Sequence, residues 1–307
     1  MADTKKQHFI PQFLLKNFAH GKKKKERLCT FDKQRKVAFQ SSVRDTAHEN
    51  QFYAGQNLDG ETIEAESLTA YIDERGSKVL RAIVDDQRLP LAGEPFVSLS
   101  YFVATQMVRV PTVRNQMEFL RKTVIEKWGP EIRAEGDERG IGEYSEEDSK
   151  FSSIASLRNV PEIAKILQTK IWFLDQAPTD ASFILSDNPV VKHNYIDYWP
   201  RGSLGIGQDG IEIHFSISPK LLVKMLCPKI AASLSLTPLG REVIPLQREG
   251  RAIPLEAENV EFVNSLQVAR SERYLYAERE SHLQIAKEMV SEHPDLARPL
   301  SAKIVAK

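Results

Sequence analysis

A chain of 307 residues is long enough to bury a sizeable hydrophobic core without disulfide staples, and it predicts one domain over residues 1–307. Its 42 basic residues equal its 42 acidic residues, so no net field draws the whole molecule to nucleic acid or to a membrane. Two cysteines, Cys29 and Cys227, lie in apolar surroundings outside any paired motif and indicate free thiols. No apolar stretch approaches the roughly 20 residues of a membrane span. The sequence therefore predicts a cytoplasmic protein without a signal peptide.

The amino-terminal segment predicts a short helix that follows a histidine. Pro11 suits the first turn of a helix, and the apolar residues after it fall near one helical face. His8 lies just before this helix and Gln12 lies at its start, positions from which both side chains can face a cleft. A lone histidine in such a position is more often a structural residue. Residues 27–31 and 36–40 then predict a β-hairpin.

Two long helices are predicted next, at about 60–86 and 94–127. The first carries an apolar stripe with Asp73 at its edge. The second contains Pro111, which lacks the N–H for the bond to residue 107 and should bend the helix there.

Polar residues interrupt the apolar side of the second long helix. Gln106 and Arg109 are three residues apart and project together, and Arg114 follows on the same bent helix. A guanidinium group binds phosphate well, so these residues indicate an anion-recognition element. The alternative is an arginine paired with a structural carboxylate.

The carboxyl-terminal half predicts a small, mostly antiparallel sheet. Residues 129–150, which are charged and nearly free of large apolar groups, predict a mobile loop before it. Strands are expected at 170–174 and up to Asp187, as a hairpin, and at 211–217, where the alternation is clearest. Further elements are expected at 221–226 (strand or short helix), 257–270 and 281–293 (helices) and 273–277 (strand). The predicted class is α+β, with the long helices packed on this sheet and the amino-terminal hairpin.

The stretch from Ser182 to Val191 predicts a rigid turn at the end of a buried strand. An apolar run stops at Ser186, Asp187 and Asn188, whose short side chains bond to nearby backbone. Pro189 cannot donate to a sheet. The turn therefore holds the Asp187 carboxylate in a geometry that active sites favour, although a simple turn cap explains it as well.

Four motifs together carry a resemblance to a known family. They are His8-Phe9-Ile10-Pro11-Gln12, Gln106-x-x-Arg109-x-Pro111-x-x-Arg114, Ser186-Asp187-Asn188-Pro189-Val190 and Ile217-Ser218-Pro219. In this order they resemble the bacterial family of proteins of unknown function numbered 4238, over residues 7–277. That family has glutamate where this chain has Asp73, which shortens the acid by one methylene. The resemblance implies a mixed helical and β domain, and a role in bacterial defence or toxicity fits it by association.

The polar residues of these motifs form one hypothetical site for a hydrolase or nuclease-like enzyme. Its substrate would contain phosphate and could be nucleic acid. The catalytic candidates are His8, Asp73 and Asp187. The substrate-binding candidates are Gln12, Gln106, Arg109, Arg114, Ser186 and Asn188. Asp73 and Asp187 could also hold a divalent cation such as Mg²⁺ through oxygen ligands.

Two alternatives stay open at this point. The same residues could form a non-catalytic ligand sensor, or they could be a purely structural network that ties the amino-terminal segment to the helices and the sheet. Zinc spacing, a P-loop, a nucleophile elbow and a dinucleotide fingerprint are missing from the sequence, which argues against those enzyme classes. The sequence does not predict an oligomeric state.

Overall fold

The computed structural model of the chain is of the α+β class, as predicted. It describes residues 6–21, 25–50, 52, 54–56, 62–134, 146–196, 198 and 204–300. Within this part of the chain, no helix combines the length and the apolarity needed to cross a bilayer.

The strands are distributed along the chain, with helices between many of them. In order they are β1 (Lys6–His8), β2 (Arg27–Asp32), β3 (Val37–Ser42), β4 (His48–Asn50), β5 (Ala54–Gln56), β6 (Thr62–Glu64), β7 (Ile171–Gln176), β8 (Leu185–Ser186), β9 (Val190–Asn194), β10 (Ile211–Ser216), β11 (Leu221–Leu226), β12 (Ala252–Pro254) and β13 (Tyr274–Ala277). The α-helices are α1 (Gln12–Asn17), α2 (Glu66–Asp86), α3 (Gly93–Val108), α4 (Pro111–Ala134), α5 (Glu146–Ala155), α6 (Val160–Gln168), α7 (Pro228–Ser235), α8 (Pro238–Arg248), α9 (Ala257–Arg270) and α10 (Gln284–Glu292).

Two larger sheets organise the molecule. The five-stranded sheet has the order β12-β7-β11-β10-β9, and only the β12–β7 pair in it is parallel. The four-stranded sheet has the order β3-β2-β13-β8 and is antiparallel. The pairs β1–β4 and β5–β6 form two small ribbons. Because β8 and β9 belong to different sheets, the turn between them is where the chain passes from one sheet to the other.

One hydrophobic core lies between the helices and the sheets. It combines buried side chains of α1, α2, α3 and α6 with the inner faces of β7, β9, β10 and β11. Strand β10 shows how sequence alternation positions this core, since Ile211, Ile213 and Phe215 point into it. Glu212 and His214 point to the other face, where α9 packs.

Helices α2 and α3 approach closely where α2 has a glycine. A Cβ atom at Gly76 would lie 2.5 Å from Cδ2 of Phe102 and 2.7 Å from its Cγ. The absence of a Cβ atom at Gly76 therefore allows the Phe102 ring to pack against α2. Glycine is a poor helix former, so this close packing costs some intrinsic helix stability.

The structure corrects several predicted boundaries. The long helix predicted at 94–127 is two helices, because Pro111 lacks an N–H and restricts residue 110, so that α3 ends at Val108 and α4 begins at Pro111. The first long helix begins at Glu66, and the start of its predicted range is the strand β6. The predicted hairpin of residues 170–174 with the strand before Asp187 is wrong, since β7 and β8 lie in different sheets.

Other predicted elements are confirmed. The β2–β3 hairpin, the strands at 211–217, 221–226 and 273–277, and the helix at 257–270 are all present. The predicted charged loop at 129–150 is helical at both ends, through α4 and α5, and its residues 135–145 lie outside the described residues.

We expect Gly76→Ala to destabilise the protein by about 1–3 kcal/mol, because the added methyl group overpacks the Phe102 ring. The helix propensity of alanine alone would stabilise the protein by up to about 1 kcal/mol. Urea unfolding measures the difference, with the substitution of exposed Arg81 by alanine in the same helix as control. A Gly76→Ala protein more stable than the parent would contradict the close packing described here.

Candidate functional site

Two cavities lie on either side of a junction between the β8–β9 turn and the break between α3 and α4. Asp187 of the turn and Pro111 of the break line the first cavity, of about 430 Å³. Their sequence neighbours, Asn188 and Thr112, line the second cavity, of about 300 Å³. The β8–β9 turn, which contains Asp187 and Asn188, therefore contributes to the lining of both cavities.

Asp187 is held in this turn by three main-chain donors. Its Oδ1 accepts the N–H of Glu272 (2.8 Å), and its Oδ2 accepts those of Arg273 (2.7 Å) and Tyr274 (2.8 Å). Burial raises the pKa of the Asp187 carboxyl group to about 6, against the opposing effect of these donors and of the charge on Lys33. The carboxyl group thus ties the turn to the start of β13 and titrates near neutral pH.

The two neighbours of Asp187 fasten the turn to helix α9. The Ser186 hydroxyl lies within donating distance of Oε1 of Gln267 (2.6 Å) and of the Asn188 carbonyl oxygen (2.9 Å), and its oxygen accepts the N–H of Asn188 (3.3 Å). Asn188 donates from Nδ2 to the carbonyl oxygen of Arg270 (2.9 Å) at the end of α9. These bonds fix the turn, and Ser186 is fully buried.

Arg109, Asp73 and Gln106 form a separate group between α2 and α3. Arg109 donates from Nη1 and Nη2 to the two carboxylate oxygens of Asp73 (2.9 and 2.6 Å). Its Nε donates to the side-chain oxygen of Gln106 (2.6 Å) when that amide takes the orientation that satisfies both groups. The Arg109 side chain is fully buried, so its guanidinium group is committed to a structural ion pair.

Arg114 has a carboxylate partner of its own. It donates from both Nη atoms to Glu49 (2.6 and 2.9 Å), and its guanidinium group lies 5.5 Å from the centre of the Phe52 ring. Glu49 lines the first cavity, whereas Arg114 lies behind it.

His8 lies opposite His48 in the β1–β4 ribbon, with ring centres 5.5 Å apart. Its Nε2 is 3.2 Å from the carbonyl oxygen of Arg44. Burial and the nearby His48 lower the pKa of His8, and burial and the charge of Lys6 lower that of His48. Only His48 of this pair lines the first cavity.

The predicted site residues do not share the lining of one of these two cavities. Asp187 lines the first cavity and Asn188 the second. The remaining predicted residues line neither: His8, Gln12, Asp73, Gln106, Arg109, Arg114 and Ser186. Gln12 is exposed on α1. The catalytic and binding roles assigned to these residues stay predictions.

The predicted divalent-cation site has no cluster of ligands around it in the described residues. These contain no group of three or more His, Cys, Asp or Glu side chains placed to hold a metal ion. Both oxygens of Asp73 accept from Arg109, and both oxygens of Asp187 accept from the main chain. Cation binding by this pair stays a prediction.

Hydroxyl groups and one imidazole characterise the first cavity. The Oγ1 of Thr30 lies 2.6 Å from the Oγ of Ser41, to which the Thr46 hydroxyl also donates (2.8 Å). The Nδ1 of His48 is buried and has no hydrogen-bond partner in the described part of the chain. Four acidic residues line the same space: Asp45, Glu49, Asp187 and Glu272. The cavity is thus rich in acceptors.

The second cavity has the opposite character. Lys192 of β9 and Arg270 at the end of α9 line it, and among the described residues that surround it none is acidic. The Nε of Arg270 and the Oγ1 of Thr112 are buried without a hydrogen-bond partner within the ranges described.

Burial and mutual repulsion act on these two cations. Burial lowers the pKa of Lys192, and the nearby charge of Arg270 lowers it further. Burial alone lowers the pKa of Arg270. Among the described residues that line the cavity there is no carboxylate to compensate either charge, so burying these cations costs free energy.

The sequence contained a signal for Lys192 that its interpretation missed. Lys192 is two residues from the buried Val190 and therefore shares its face of β9, which is unusual for a lysine. Arg270 gave no such signal, because a basic residue in the last turn of a helix is common.

Comparison with known proteins assigns the chain to a family. The family DUF4238, described as a protein of unknown function, matches residues 6–281. The chain belongs to DUF4238. Neither the curated proteins nor the solved structures contain a significant match to it. The part of the chain that matches DUF4238 includes every residue lining the first cavity and all but Leu300 of those lining the second.

We expect Asp187→Asn to lower the free energy of unfolding by about 2–4 kcal/mol, because the new NH₂ group faces main-chain donors in a buried site. Urea unfolding at pH 8 tests this, with Asp295→Asn at an exposed carboxylate as the matched control. Unchanged stability would show that the three main-chain bonds to Asp187 do not hold the turn.

We expect His8 and His48 to titrate below pH 6.5, because burial and neighbouring positive charge disfavour their protonated forms. The unfolded chain then binds more protons at these two histidines than the folded chain does. The folded protein therefore loses stability as the pH falls through 6.5. NMR titration of the imidazole signals measures both pKa values, and His8→Gln should weaken the acid-dependent loss. Ordinary pKa values for both rings would contradict the packing of the ribbon.

Proposed function

We propose that this member of DUF4238 binds a phosphate-containing ligand in the second cavity. The observation that carries the proposal is the pair of half-buried cations, Lys192 and Arg270, which line one cavity without a carboxylate partner in the described residues. Arg109 and Arg114, the arginines first predicted to bind phosphate, are each engaged bidentately by a carboxylate instead.

The donor set suits a phosphate group. A guanidinium fork can bind two phosphate oxygens, and an ammonium group adds a compact charge. The Thr112 hydroxyl adds a neutral donor. A dianionic ligand would neutralise both cations at once and relieve the repulsion between them. Phosphate binding therefore offsets the free energy that burying these two charges costs.

The first cavity is a poor place for the same ligand. Its four acidic residues repel phosphate, and its one arginine, Arg273, is paired with Asp32 at 2.7 Å. Of the two spaces beside the 187–188 turn, the second therefore has the charge that a phosphate requires.

A second candidate function is acid–base catalysis in the first cavity, as in the predicted hydrolase. Its support is a carboxyl group with a pKa of about 6, Asp187, in the same cavity as the imidazole of His48. Groups that titrate near neutral pH favour proton transfer at the pH of the cell. Hydrolysis of uncharged esters, compared between the parent and His48→Gln, tests this candidate.

We expect millimolar inorganic phosphate to raise the melting temperature, and Lys192→Met and Arg270→Met each to abolish that shift. At a hundredfold excess over Kd the stabilisation is about 2.7 kcal/mol. Without phosphate, Lys192→Met should be at least as stable as the parent, because it removes an unpaired and desolvated charge.

The control for this experiment is Lys165→Met, which removes an exposed lysine from α6 and should leave the phosphate shift intact. Chloride and acetate at matched ionic strength control for screening. A phosphate shift that persists in Lys192→Met and Arg270→Met would place the binding elsewhere and end the proposal.

A further inference from the structure

The lining of the second cavity is divided between a charged part and an apolar part. Lys192 and Arg270 supply its positive charge, and the charge of Arg270 lowers the pKa of Lys192. Most other lining residues are apolar: Met107, Val110, Val113, Val190, Val191, Leu204 and Leu300. A ligand bound here therefore meets mostly hydrocarbon beyond the cations.

Few groups in this cavity could satisfy a hydroxyl-rich ligand. Besides the cations and Thr112, its polar side chains are Gln116 and Asn188. The amide nitrogen of Asn188 already donates to the Arg270 carbonyl oxygen (2.9 Å). Sugar hydroxyls placed against the valine wall would lose their water without gaining partners, at a cost of roughly 1–3 kcal/mol each.

The volume leaves room for more than a phosphate group. At about 300 Å³ the cavity is several times larger than one phosphate, so an esterified group fits beside it.

We infer that the ligand of the second cavity is a phosphate monoester with an apolar group, alkyl or aryl. This inference rests on the proposed phosphate binding and adds the class of the esterified group. The phosphate lies against Lys192, Arg270 and Thr112, and the hydrocarbon lies against the walls contributed by the α3–α4 break and by β9.

Isothermal titration calorimetry with four ligands tests this inference: inorganic phosphate, methyl phosphate, n-butyl phosphate and glycerol 3-phosphate. Each buried methylene contributes about 0.8 kcal/mol, or roughly fourfold in affinity, so butyl phosphate should bind on the order of tenfold or more tightly than methyl phosphate. Glycerol 3-phosphate, of similar size but with two hydroxyls, should bind about tenfold more weakly than butyl phosphate.

The variant Val113→Thr makes the wall polar with little change of shape, and it should reduce the ratio of butyl to methyl affinity while leaving methyl phosphate binding unchanged. The matched control is Val79→Thr, in a separate groove beside α2, which should leave all four affinities as they are.

Two results would overturn the inference in distinguishable ways. Glycerol 3-phosphate binding as tightly as butyl phosphate would refute the apolar group but leave the proposed phosphate site standing. Absence of binding by all four ligands, or binding that is unaffected by Lys192→Met, would refute the proposed function and the inference together.

Discussion

The bonds from the Asp187 carboxylate to three successive main-chain N–H groups are the constraint on which this architecture depends. They join the turn that leaves the four-stranded sheet to the segment between α9 and β13, and the chain enters the five-stranded sheet immediately after that turn. A buried acceptor that satisfies three main-chain donors leaves the turn no alternative conformation of similar energy. Asp187 and Asn188 of this turn line the first and the second cavity respectively.

The basic side chains that face inward differ in whether a carboxylate of the described residues pairs with them. Arg109 with Asp73 and Arg114 with Glu49 are bidentate ion pairs, in which each guanidinium group donates to both oxygens of its carboxylate. Lys192 and Arg270 are open, since their cavity supplies no acid within the described residues. In a chain with equal numbers of acidic and basic residues, such a local imbalance is better evidence of a site than any global property.

The class of fold and most elements could be predicted from the sequence, because alternation and proline punctuation are local. The clear alternation at 211–217 and the turn at 186–189 are confirmed. The pairing of β8 with β13 could not be predicted, because nothing local records which distant strand an edge meets. For the site, the sequence shows which residue types are present but not which groups they contact. The sequence around Arg109 is the same whether its guanidinium group binds a phosphate or Asp73.

The four-stranded sheet also bears on how the chain folds during its synthesis. Asp32 in β2 and its partner Arg273 beside β13 are 241 residues apart, so the β2–β3 hairpin leaves the ribosome long before the strand that completes its sheet. At 5–20 residues per second this interval is ~10–50 s. Until then the inner edge of the hairpin presents unpaired main-chain groups to other nascent chains, and a chaperone that shields this edge would raise the yield of correctly assembled protein.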